Sequence, residues 1–212
     1  MKVFMDLEFT GLHKDASLIS IGFVSENHDM FYAENADFDR GAFGSDDDLD
    51  FFKREVEPGL KHIKYKRPTV LENKAIDNDE FVFYTDVVGD ANFIREELEK
   101  WFVKIHHKNS LDASEVQIVG DVCTYDWVLF CDLWGHALQV PNYIHYIPID
   151  VGTLLPQYGY DSDYSRISFA SVELKEDKEL QHNALYDAHV IQCVYDSLIG
   201  KQPSVDYEFY IR

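Results

Sequence analysis

The sequence predicts an α/β fold, a mixed central sheet flanked by helices, in a single domain spanning 1–212. Three observations predict it. Three strand-like segments open the chain, and helical and strand-like segments then alternate to its end. The last helix also carries an acid on the stripe that should face the sheet. With 212 residues the chain can bury one full core.

Residues 2–9 alternate as a strand, so Val3, Met5, Leu7 and Phe9 share one face and Phe4, Asp6 and Glu8 the other. Residues 18–25 and 30–34 read as two more strands, joined by the polar turn Glu26-Asn27-His28-Asp29 as an antiparallel hairpin. From about 36 to 90 the pattern degrades, which predicts an irregular insertion. Within it, Asp46 to Asp50 reads as a solvated loop, 49–57 as partly helical, and Phe81 to Tyr84 as a short strand. Asp90 is a candidate N-cap for a helix over 92–106, with Ile94, Leu98, Trp101, Phe102 and Ile105 at helical spacing. A buried strand over 116–120, a helix over 126–138 and a strand over 147–151 follow. The final helix, 184–199, has its apolar stripe at Leu185, Ala188, Ile191, Val194, Tyr195 and Leu198.

Composition narrows the function. The formal net charge is −20, from 39 acids and 19 bases, which argues against a membrane surface and against duplex binding by a broad basic face. Nucleic acid stays open, because acids that bind divalent cations present positive charge where a phosphate sits. Cys123, Cys131 and Cys193 lack metal-ligand spacing and read as buried thiols of a reducing compartment, so a cytoplasmic location is expected.

The acids carry the chemistry. Asp6 and Glu8 lie on one face of an apolar strand, at its carboxyl end, where open α/β sheets place ligands. Uncompensated carboxylates there are costly, and a divalent metal is the better compensator because no base is adjacent in sequence. Asp126 follows a buried strand and either caps its helix or faces the same site. Asp121 reads as another possible cap. His182 precedes the last helix, and Asp187 lies on its buried stripe with Ile191, Val194 and Leu198. Four acids with a histidine alongside suit a two-metal phosphodiester site with a base for water.

These residues resemble a known family. Asp6-Leu7-Glu8-Phe9-Thr10-Gly11, then Gly120 to Tyr125-Asp126, then His182-Asn183-Ala184-Leu185-Tyr186-Asp187 resemble the three motifs of the DEDD (DnaQ-like) exonucleases, DEDDh branch. Asp6-Leu7-Glu8-Phe9, followed by Leu18 to Val24 and Phe31-Tyr32-Ala33, is most similar to the ribonuclease AS-like 3′–5′ exoribonucleases. The resemblance implies a ribonuclease H-like fold and two ions, Mg²⁺ or Mn²⁺. It implies Asp6 bridging both, Glu8 and Asp187 completing one site, Asp126 holding the second ion and His182 as general base. It also implies substrate contacts at Phe9, Thr10, Gly11, Leu12 and Tyr125. Cys123 stands where many relatives carry Asn.

For Gly11 the alternative is an ordinary strand-ending turn, and for Leu12 a core role. Lys61, His62, Lys64, Lys66 and Arg67 around Tyr65 either track a single strand or form a solvated face. His189 reads as packing or surface, and Asp150 as a cap of the next turn. The resulting expectation is an enzyme releasing nucleoside 5′-monophosphates from single-stranded nucleic acid, RNA before DNA, with no membrane partner. A homodimer is compatible with the sequence. The alternatives are a 3′–5′ exodeoxyribonuclease of proofreading or repair type, and a non-catalytic acidic binding protein on the same fold.

Overall fold

The computed structural model describes residues 1–62, 69–77, 81–108, 116–170 and 181–200, and side chains throughout these except at 71–77 and 81. It is of α/β type. Seven strands form one mixed sheet: β1 (Lys2–Phe9), β2 (Leu18–Ser25), β3 (Met30–Asn35), β4 (Thr69–Asp77), β5 (Phe81–Gly89), β6 (Gln117–Gly120) and β7 (Ile149–Asp150). Their order is β4-β5-β3-β2-β1-β6-β7. β1, β2 and β3 form an antiparallel meander, and β6 then pairs parallel to β1, with β7 parallel to β6.

Phe81 to Tyr84, expected as a short strand, open a longer one, whereas 69–77 depart from the irregular insertion expected. Residues 69–77 and 81–89 form two nine-residue strands, β4 and β5, paired antiparallel, and β5 runs parallel to β3 from Met30–Tyr84 to Asn35–Gly89. The alternation missed by the sequence is weak in β4, whose register also breaks between Val70 and Glu72. Asp29 shows how β5 is recruited: its buried carboxylate accepts the Phe83 N–H at 2.8 Å and pairs with Lys108 Nζ at 2.8 Å.

The helices are α1 (Asp46–Phe51), α2 (Ala91–Lys108), α3 (Thr124–Asp132), α4 (Val151–Leu154), α5 (Arg166–Ala170) and α6 (Ala184–Leu198). Asp46 to Asp48 are not a loop. They make the first turn of α1, capped by Ser45, whose side chain accepts the Asp48 N–H, where the helix dipole favours acids. The chain then widens into a π turn over Phe52–Val56. α3 is shorter than the 126–138 expected and ends at Asp132, leaving only a 3₁₀ turn at Ala137–Gln139.

One sheet face, with Val3, Met5, Leu7, Phe23 and Phe31, packs on Leu98, Trp101 and Phe102 of α2 and on Phe130 of α3. The other face, with Phe4, Val24 and Tyr32, packs on α6 through Leu185, Ala188, Ile191 and Val194. Each such side chain taken from water contributes about 1.5–3 kcal/mol. The alternation read in β1 is the alternation built. No helix among the described residues is long and apolar enough to cross a membrane.

Candidate metal centre

Three sequence-distant segments deliver the acids to one place. β1 carries Asp6 and Glu8 on the α6 side, and a register shift between Glu8 and Phe9 bends the strand there, as bulges beside active sites do. α3 delivers Asp126 in its first turn. Asp126 is not its N-cap. Cys123 holds that position without a side-chain bond, while Asp126 Oδ1 accepts the buried Leu7 N–H at 3.1 Å. That bond ties α3 to the main chain between Asp6 and Glu8.

α6 delivers Asp187. Asn183 caps it, its side chain accepting from Leu185 N at 3.2 Å and Tyr186 N at 3.3 Å. His182, just before the cap, is left-handed at φ 62. Its N–H donates to Asp187 Oδ2 at 2.9 Å, so one carboxylate fixes the main chain that aims the imidazole. Gly22 sets the depth of the helix end. It pairs with Asp6 across β1 and β2, and a Cβ there would lie 2.3 Å from the Ala184 carbonyl carbon.

The carboxyls perturb one another strongly. Burial pushes Asp6 well above the usual carboxylate range, and Asp187, Asp126, Glu8 and Asp121 add to it. Glu8 is raised well too, by burial and then by Asp187 and Asp126. Asp187 is pushed up to about 7, by burial and by Asp121, although the His182 N–H favours its charged form. Asp126 is raised to about 6, burial outweighing its own N–H and that of Leu7. Groups so placed either hold protons or await cations. Burial moves the His182 imidazole the other way, below its usual value, against the pull of Glu55.

Glu8, His182 and Asp187 each offer a ligand atom, and these atoms all lie within 4.8 Å of one another. His182 Nδ1 is 3.9 Å from Glu8 Oε1. Asp6 lies on the same face of β1, two residues before Glu8. Asp126 bonds the main chain between Asp6 and Glu8, so all five expected residues gather at this end of β1, with His182 within ligating reach of Glu8 and Asp187.

The remaining expected residues divide. The Phe9 and Tyr125 rings lie 6.3 Å apart. Leu12 is 70% exposed, which removes a core role. Thr10 is buried, its hydroxyl accepting the Ser17 N–H at 2.9 Å, so it closes the turn after β1. Gly11 sits in that turn at φ 153, and a Cβ would meet the His13 ring at 3.0 Å. Lys61 is half-buried and His62 contacts Asp86 at 2.9 Å, while both of their N–H groups donate to buried Glu34. They are tied inward and are not a solvated face; Lys64, Tyr65, Lys66 and Arg67 lie outside the described residues. Burial holds His189 down at about 4, a packing residue. Asp150 caps α4 through Gly152 N at 3.2 Å. All three cysteines are buried and none is in a disulfide.

Sequence reasoning missed four contributors. Gly22 and Glu55 gave no motif signal. Phe51 places its ring 5.0 Å from His182, edge-on, from the end of α1. Asp121, read as a cap, does not cap α3; Arg166 grips its carboxylate, and its charge still raises Asp6, Asp126 and Asp187. No protein-family model and no curated protein matches the chain.

Proposed function

We propose that this chain is a divalent-metal-dependent 3′–5′ exonuclease of single-stranded nucleic acid, preferring RNA to DNA and releasing nucleoside 5′-monophosphates. The observation that carries the proposal is the meeting of Asp6, Glu8, Asp126, Asp187 and His182, drawn from β1, α3 and the start of α6. A ribonuclease H-like fold is part of the same reading. The β1–β3 meander, with β6 and β7 added beyond a central β1, supports it.

The donors, four carboxyls and one imidazole, suit hard divalent cations such as Mg²⁺ or Mn²⁺. Asp6, Glu8, Asp126 and Asp187 would hold two ions, with His182 at the edge of the set. Bound cations would neutralise charge on the phosphodiester and acidify water. His182 is lowered by burial and so neutral at pH 7, able to take a proton from the attacking water. The Asp187 carboxylate holds its main chain and the Phe51 ring braces its edge. Exposed Leu12 and Tyr125 offer apolar surface on which terminal bases can stack without a basic groove.

The test is degradation of 5′-labelled RNA and DNA oligomers, and of a circular strand, with Mn²⁺ or with chelator. Metal-dependent shortening from the 3′ end, faster on RNA, is expected. Faster shortening of DNA would transfer the proposal to an exodeoxyribonuclease. Cleavage of the circle would overturn the exonuclease reading, and inertness of every substrate would leave an acidic binding protein.

A further inference from the structure

Residues 51–62 reach His182 from two directions. At their start the Phe51 ring meets the imidazole edge-on, with centroids 5.0 Å apart. Near their end Gly59 lies against the main chain of the same residue. A Cβ there would be 3.7 Å from the His182 carbonyl oxygen, and the Gly59 carbonyl accepts Asn183 Nδ2 at 3.3 Å. His182 sits at φ 62, a left-handed state that a residue with a Cβ keeps only when its surroundings enforce it.

A buried carboxylate on β3 holds this segment. Glu34, fully buried, accepts the Lys61 N–H at 2.5 Å on one oxygen and the His62 N–H at 2.8 Å on the other. The Tyr32 hydroxyl donates to it at 3.0 Å, and His62 Nε2 contacts Asp86 Oδ2 at 2.9 Å. Between the two ends, Phe52 and Val56 are buried against Ile19 and Phe38. The strand register puts Glu34 on the face that carries the acids, because Glu34 pairs with Ser20 and Ser20 with Glu8. A buried carboxylate is costly unless its oxygens are satisfied. Here two successive main-chain N–H groups satisfy both, so Glu34 holds the segment and not a cation.

Resting on the metal-centre reading, we propose that Glu34 is a positioning residue for His182, acting through residues 51–62. By fixing Lys61 and His62 it seats Gly59 against His182 and Asn183. With Phe52 and Val56 anchored, the same hold keeps the Phe51 ring on the imidazole. Glu34 touches no reacting atom in this role. One face of the sheet thereby supplies both the acids and the order of the base beside them.

Three measurements on the full chain test this: kcat and KM on a labelled RNA oligomer in Mn²⁺, Mn²⁺ affinity without nucleic acid, and the proton Overhauser contact between the Phe51 and His182 rings. Glu34→Gln keeps the volume but can accept only one of the two N–H groups. It should weaken the ring contact and lower kcat by about 10- to 100-fold, the cost of misplacing a reacting group by about 1 Å. KM and Mn²⁺ affinity should stay at wild type. Glu34→Asp, which keeps the charge and withdraws it from the main chain, should show the same pattern. Phe51→Leu should lower kcat likewise, whereas Phe51→Tyr, which keeps the ring, should retain it. In a His182→Ala background Glu34→Gln should cost nothing further, because the group it places is gone. A merely structural Glu34 would lower the melting temperature and lose the same factor in both backgrounds. A ring contact retained in Glu34→Gln, a loss of Mn²⁺ affinity as large as the loss of kcat, or an undiminished effect in the His182→Ala background would each overturn the proposal. If the wild-type chain degrades no oligomer, the exonuclease reading falls, and the ring contact in Glu34→Gln still decides whether Glu34 places His182.

Discussion

Gly22→Ala tests the geometry on which the centre depends. The glycine lies in β2 directly across from Asp6, and the first turn of α6 rests on it. An alanine Cβ would sit 2.3 Å from both the carbonyl carbon and the oxygen of Ala184, and 2.4 Å from Leu185 N. Ordinary contact begins about 1 Å further out, and the atoms met are main chain, which no rotamer change can move aside. The start of α6 must therefore retreat by roughly 1 Å, carrying His182 and Asp187 away from β1. Overpacking of this kind costs about 1–3 kcal/mol, which shows in a thermal melt. The functional cost should be larger, because a misplacement of about 1 Å at reacting groups can lower turnover by about 10²-fold. The assay pairs a melt in chelator with Mn²⁺ titration and single-turnover rates. A variant that keeps wild-type affinity and rate would refute the claim that Gly22 sets the depth of α6.

Three further outcomes follow from the same site. Asn183→Ala removes the cap that accepts two N–H groups of α6 and should cost about 1 kcal/mol of stability, read as a lower melting temperature. Asp187 and Asp126, at about 7 and about 6 against an ordinary 3.8, bind protons more tightly folded than unfolded. Their contribution to apo stability is complete below about pH 4 and is lost as pH rises through 6 to 7; for Asp187 it reaches about 4 kcal/mol at most. Melts in chelator should thus fall behind melts in Mg²⁺ increasingly from pH 5 to 8, and a constant gap would contradict the raised values. His182→Ala should lower turnover by about two to four orders of magnitude while metal binding persists, whereas Asp187→Ala should lose both. A parallel loss of Mn²⁺ affinity in His182→Ala would reassign the imidazole, 3.9 Å from Glu8, from base to ligand.

Local pattern was enough for most of the frame. β1, β2, β3, α2 and α6 were readable because a sheet or helix with one buried face must repeat apolar residues at its own period. Asp6, Glu8 and Asp187 stood out as candidates because carboxyls on otherwise apolar stripes demand partners. What the sequence left open is what depends on packing between distant segments. β4, and β5 beyond the Phe81 to Tyr84 stretch, became strands through the pairing of β5 with β3 and the hold of Asp29 on Phe83, neither of which leaves a local pattern. Asp126, ambiguous between cap and site, was decided by its bond to Leu7, 119 residues away. Thr10, read as a substrate contact, has its hydroxyl turned to Ser17 by the local turn. Phe51 and Arg166 carry no motif, and the segments that hold Gly22 and Asp121 do not reveal a close approach or an ion pair, because such roles exist only once the chain has brought its parts together. Periodicity records which face of an element is buried; it does not record which element buries it.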